Sequence, residues 1–94
     1  MARIEVVKKA VDKGWELTVT VTEENGWTGH VVSLSKDVHE RLTGGAISPE
    51  ECVRRSFEFL LKREPKESIL GSFELTVISR YFPEFEREIS KSLP

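Results

Sequence analysis

Apolar and polar residues alternate without a break from Trp15 to Thr22. Trp15, Leu17, Val19 and Val21 fall on one side, with Glu16, Thr18, Thr20 and Thr22 on the other, the pattern of a strand buried on one face. The β-branched threonines suit a pleated outer surface. Asn25-Gly26 follows and supplies the positive φ angles of a tight two-residue hairpin turn. With those two residues as the loop, Glu24 pairs with Trp27, Val21 with His30, Val19 with Val32, and Leu17 with Leu34. Cross-strand partners share a face, so His30, Val32 and Leu34 join the core side. Thr20 with Val31, and Thr18 with Ser33, take the outer side.

Arg3 to Val11 is predicted as a preceding strand that turns at Asp12-Lys13-Gly14. Two registers are open to it. One sends Ile4, Val6, Lys8 and Ala10 inward; a one-residue slip buries Glu5, Val7, Lys9 and Val11 instead. The first is chemically better, with Lys8 extending its ammonium to the margin. A three-stranded antiparallel meander with one apolar face results, and helices must cover that face.

The second half supplies them. Ser35 caps a short helix from Lys36 to about Leu42, with Asp37 in its first turn, Val38 and Leu42 inward, and Gly44 or Gly45 at its end. Ser48 opens a long helix. Ser48 and Glu51 make a capping box, Pro49 sits at the first helical position, and Ile47 with Cys52 can form a hydrophobic staple. Val53, Phe57, Leu60 and Leu61 form one stripe, which Cys52, Ser56 and Phe59 widen. Glu51, Arg54, Arg55, Glu58 and Lys62 gather opposite, with Glu51–Arg55 and Glu58–Lys62 in favourable i,i+4 order. So wide an apolar arc fits contact with the sheet on one side and with C-terminal helices on its flank.

Pro65 ends this helix, and Pro65 to Ser68 reads as a connector. Ser72 is predicted to cap a helix carrying Leu75, Ile78 and Phe82, widened by Val77 and Tyr81. Pro83 then starts a second short helix with Phe85 and Ile89 four apart. The expected fold is α+β: a three-stranded antiparallel meander followed by a short helix, a long amphipathic helix and two short C-terminal helices. Residues 1–94 form a single domain in this reading.

Composition narrows the function classes. Hydrophobic residues make up 38% of the 94 and charged residues 32%, a balance that fits a globular chain and not a disordered one. A net charge of -2 argues against a dominant nucleic-acid footprint, which needs a concentrated basic face. Cys52 is the single cysteine, so no internal disulfide can form, and a free thiol suits a reducing compartment. The N-terminus lacks a signal-type apolar stretch, and no apolar run approaches the roughly 20 residues of a membrane helix. A cytoplasmic location and no membrane partner are expected.

Catalytic motifs do not stand out. His30 and His39 lie on different elements without an acidic cluster, whereas zinc normally takes three or four convergent ligands. Cys52 sits on the flank of an apolar stripe, a position that fits a small buried residue better than a nucleophile. There is no Gly-x-Ser-x-Gly, and Gly44-Gly45 matches neither a phosphate loop nor a dinucleotide fingerprint. No catalytic residue, metal or cofactor is assigned. Arg80, Tyr81 and Phe82, with Arg54, Arg55, Lys62, Arg63 and Lys66 nearby in sequence, form the one candidate anion-binding region, since aromatics beside arginines can stack on bases. Glu84, Glu86 and Glu88 oppose that reading. Trp15 and Trp27, at opposite strand ends, are candidates for a contact surface or for anchors at a core margin.

The segments Lys62-Arg63-Glu64-Pro65-Lys66-Glu67-Ser68-Ile69-Leu70 and Arg80-Tyr81-Phe82-Pro83-Glu84-Phe85 resemble those of a family of small, uncharacterised bacterial proteins with a strand-rich front half. The likeness covers the second half specifically and the first half in pattern; it implies a single cytoplasmic domain and carries over no site residues. Gly45 to Leu61, a helix with acidic opening residues behind a sheet, also resembles the partner domain of HicB-type antitoxins. The glycine-rich, aspartate- and proline-containing segment of that group is missing here.

The expectation is a small non-enzymatic interaction or regulatory module that contacts another protein or a second copy of itself, using Arg54, Arg55, Arg80, Tyr81, Trp15 or Trp27. One alternative is an antitoxin-like or nucleic-acid-binding regulator that uses the Arg/aromatic patch. Another is a small enzyme with an unrecognised carboxylate pair, for which spacing singles out no residues.

Overall fold

The computed structural model of the protein describes residues 2–94. Strands β1 (Arg3–Val11), β2 (Gly14–Glu23) and β3 (Gly26–Ser35) form the antiparallel meander that the alternation predicts. β1 takes the first of its two registers, with Ile4 opposite Val21 and Val6 opposite Val19. Leu17, Val19, Val21, Val32 and Leu34 are buried on the inner face.

The β2–β3 register differs from expectation by two residues. The turn is Glu24-Asn25, closed by Glu23 opposite Gly26, and Val19 faces His30 while Leu17 faces Val32. The positive φ falls on Gly26 (132°) and not on Asn25. This register lets all ten residues of each strand pair, from Gly14 with Ser35 to Glu23 with Gly26. A two-residue slip keeps every side chain on its face, so the core set is unchanged. At the other end of β2 the backbones nearly touch. A Cβ on Gly14 would stand 2.3 Å from the Leu34 carbonyl oxygen, which only a glycine permits.

Helix α1 (Lys36–Thr43) is capped by Ser35, whose Oγ accepts from the Val38 amide at 3.1 Å, and ends at left-handed Gly44. Helix α2 (Pro49–Leu61) begins as its sequence predicts, with the Ser48 Oγ accepting from Glu51 N–H at 3.1 Å. The reciprocal half of the capping box is replaced, because the Glu51 carboxylate goes to Arg54 and Arg55. Glu58 likewise pairs with Arg54 at 2.9 Å and not with Lys62. α2 lies against β1 and β2 and buries Phe57 fully, its ring 5.3 Å from His30 and 6.1 Å from Phe73. On the flank, Phe59 meets Phe82 at 5.8 Å and Phe85 at 5.2 Å, both edge-on. The wide apolar arc is thus consumed within the chain.

The C-terminal third departs from its prediction. Ser72 does not cap a helix; it begins a short strand, β4 (Ser72–Glu74), parallel to β3, with Val32 opposite Phe73. The sheet order is β1-β2-β3-β4. The cause is an unpaired stretch of β3, whose Val31 N–H donates to Gly71 O at 2.9 Å, satisfying a backbone group that β2 cannot reach. A 3-10 turn, Leu75–Val77, leads into α3 (Ile78–Tyr81), and α4 (Phe85–Lys91) starts just after Pro83. Leu75, Ile78, Phe85 and Ile89 complete the core.

Candidate interaction surfaces

The outer face of the meander is left bare by this packing. Val7 is 68% exposed, Val11 44% and Trp27 69%. β1 also ends the sheet, so nine consecutive residues carry no partner on one side, and their pairing with β2 shows no bulge. On the inner side Ile4 and Val6 are half-buried against the core. Lys8 reaches Glu50 at 3.5 Å, an ion pair that is the one charge on Glu50 Oε1, a buried oxygen without a hydrogen-bond donor among the described residues.

The predicted arginine–aromatic patch does not assemble. Arg54 donates from Nε to Glu51 at 2.8 Å and from Nη1 to Glu58 at 2.9 Å, while Arg55 donates from Nε to Glu51 at 2.7 Å and from Nη1 to Ser92 O. Hydrogen bonds from Arg54, then Arg55, outweigh burial and hold the Glu51 carboxyl down at about 2. Arg63 lies over the Phe59 ring at 3.6 Å and bonds Glu84 at 3.3 Å. These cations line a shallow groove of about 480 Å³ between α2 and α4, with Glu58 and Glu88 on its walls. Most of its positive charge is already matched. Tyr81, 66% exposed, belongs to a different groove, an apolar one of about 170 Å³ floored by Leu60, Ile69, Phe73, Ile78 and Phe82. Arg80 is exposed on α3.

The tryptophans part company too. Trp15 is half-buried, edge-on to His39 at 5.4 Å, an anchor at the core margin. Trp27 lies on the outer face, its ring 3.5 Å from where a Gly29 Cβ would stand. His39 Nε2 donates to Ile47 O at 2.8 Å. His30 is buried, with Nδ1 donating to Leu70 O at 2.7 Å and Nε2 2.8 Å from the Thr28 hydroxyl. A carbonyl can only accept, so Nδ1 carries a proton, and the Thr28 hydroxyl, able to donate or accept, completes the bonding of Nε2. The ring ties β3 to the approach of β4. Burial pushes the Cys52 thiol up to about 11. Among the described residues no three His, Cys, Asp or Glu side chains gather to hold a metal, and no helix is long and apolar enough to cross a membrane.

Sequence reading missed Lys66, which it placed among the anion-binding cations. Its side chain is 1% exposed, and its ammonium meets Glu67 at 2.7 Å, Asn25 at 2.9 Å and Glu23 at 3.0 Å. Three donors find three acceptors. Bonds to Glu67 and Glu23 raise its pKa, and the group clamps the β2–β3 hairpin tip to the turn after α2. Only the acidic, amide-bearing tip Glu23-Glu24-Asn25 could have hinted at this.

Comparison with family models, curated proteins and solved structures finds no match to this chain.

Proposed function

We propose that the protein is a small interaction or regulatory module, non-enzymatic, that works by surface contact with another protein or with a second copy of itself. One observation carries the reading: a nine-residue edge strand with one side unpaired, which itself exposes Val7 and Val11. Natural sheets blunt such edges with bulges, prolines, a covering segment or charged side chains; β1 has no bulge or proline, and its charges, Arg3, Glu5, Lys8 and Lys9, are mixed in sign and so able to pair with a complementary strand. The helix α2, the other surface that its apolar width suggested, supports the reading less, since Phe82 and Phe85 already cover its flank. A nucleic-acid role draws little support from Arg54 and Arg55, whose guanidiniums are held by Glu51 and Glu58. The likeness of Lys62–Leu70 and Arg80–Phe85 to the small bacterial family is compatible with this reading and adds no residues to it.

Light scattering on the eluting chain, with cross-linking in native lysate, tests the proposal. A dimer or one reproducible cross-linked partner is expected. A lone monomer in both measurements would remove the contact reading.

A further inference from the structure

We infer that the contact is between two copies, the open edges of β1 pairing antiparallel about a two-fold axis at Val7 to join two four-stranded sheets into one. The inference rests on the contact reading above and names its partner and register.

The backbone decides which groups are offered. A two-residue turn is closed by a hydrogen-bonded pair, here Val11 with Gly14, and bonded pairs alternate along an antiparallel ladder. Arg3, Glu5, Val7, Lys9 and Val11 therefore direct their N–H and C=O groups to β2. The same count from Glu23 with Gly26 gives the odd residues of β2 to β3 and the even ones to β1, so the two hairpins agree. The N–H and C=O groups of Ile4, Val6, Lys8 and Ala10 are left pointing away from β2 at the open edge.

Charge then selects the register. Closed two-fold pairing of identical strands places one residue opposite itself. Centred on Glu5, Lys8 or Lys9, it sets a charged side chain against its own copy. Centred on Val6, it sets Arg3 against Lys9. Like charges directly opposite are destabilising. Centred on Val7, no like charges meet, and Glu5 faces Lys9 of the other copy twice over. Lys9 makes no ion pair within its own chain among the described residues. In this register Val7 meets Val7 in a non-hydrogen-bonded pair, where side chains approach most closely. Ile4 faces Ala10, and Val6 faces the stem of Lys8, whose ammonium stays with Glu50 of its own chain. Glu5, Lys8 and Lys9 thereby act as register keys against the pairings centred on the residues next to Val7.

Analytical ultracentrifugation of the full chain from low micromolar to millimolar concentration tests the inference, with circular dichroism confirming the fold of each variant. The chain is expected to dimerise. Glu5→Lys and Lys9→Glu each turn two attractions into two repulsions, and each is expected to raise the dimer Kd about tenfold or more. The double variant restores opposite charges and is expected to return Kd to near that of the wild type. A dimer indifferent to both single changes, or one the double change fails to rescue, overturns the β1 seam while leaving the contact reading standing. A chain monomeric throughout overturns the seam as well. Cross-linking of that monomer to a different protein would then keep the broader reading, and its absence would sink both.

Discussion

Replacing Phe57 by alanine removes the ring that joins the two layers. Phe57 is fully buried, with His30 and Phe73 on either side and the inner face of the sheet beneath α2. A buried phenylalanine hides about 150 Å² or more, which at about 25 cal/mol per Å² amounts to about 4 kcal/mol. Phe→Ala changes in other cores cost about 3–5 kcal/mol, cavity included. Relief by collapse is limited here, because strands on one side and aromatics on the other are tied by backbone pairing and by the His30–Leu70 bond. Against a total stability of about 5–15 kcal/mol this is about a quarter or more. At about 4–8 °C per kcal/mol for a domain of this size, Tm should fall by about 15–30 °C. Thermal melts followed by far-UV circular dichroism read the change, with Thr22→Ser on the outer face as a control expected to stay within about 0.5 kcal/mol. If Phe57→Ala melts within about 5 °C of the wild type, the ring is not the bridge between helix and sheet.

The other expectations concern single contacts. Gly14→Ala drives a Cβ into the Leu34 carbonyl, 2.3 Å away, and should cost about 3 kcal/mol in urea melts, whereas Gly29→Ala, with only the Trp27 ring at 3.5 Å, should be nearly neutral; equal effects would contradict the close approach. The Glu51 carboxyl sits at about 2 in the fold against an ordinary 4.5, so its stabilisation is complete above 4.5 and disappears as pH falls toward 2. Glu51→Gln should therefore lose about 1 kcal/mol at neutral pH, after allowance for solvent screening, with the gap to wild type closing below pH 4.5; a gap independent of pH refutes the pairing. Cys52, buried and raised to about 11, should react with a disulfide reagent only as fast as the chain unfolds, and rapid labelling of the native protein would contradict its burial. Lys66→Met should lower Tm, and by less in a background already carrying Glu23→Gln and Glu67→Gln; additive losses would show that the clamp is not a unit.

Alternation made the core of β2 and β3 legible without the turn being right. Val19 and Val32 point inward whether they face each other or sit one pair apart, because a slip of two preserves faces. The Ser48-Pro49-Glu50-Glu51 signature was equally local, and α2 begins where it says. β4 was not legible. Ser72-Phe73-Glu74 is too short to show a period, and its pairing is decided by the unpaired N–H of Val31, forty residues away in the chain. Lys66 was misread for the same reason: its three acceptors come partly from the β2–β3 hairpin. The arginine patch failed differently. Glu51 and Glu58 lie one helical turn from Arg54, so the neutralising pairs were in the sequence, but Tyr81 and Arg80 leave the α2–α4 groove only once β4 redirects the chain. The seam at Val7 needs the fold as well, since the sequence of β1 shows its charges but not which edge of it remains open.

Residue-resolved amide exchange at rising protein concentration reads that edge most directly. The account predicts that Val6, Lys8 and their neighbours Ile4 and Ala10 exchange fast in dilute solution and become protected as the chain is concentrated, while Val7 and Lys9, bonded to β2, are protected throughout. Fast exchange at the four even positions under all concentrations would contradict it.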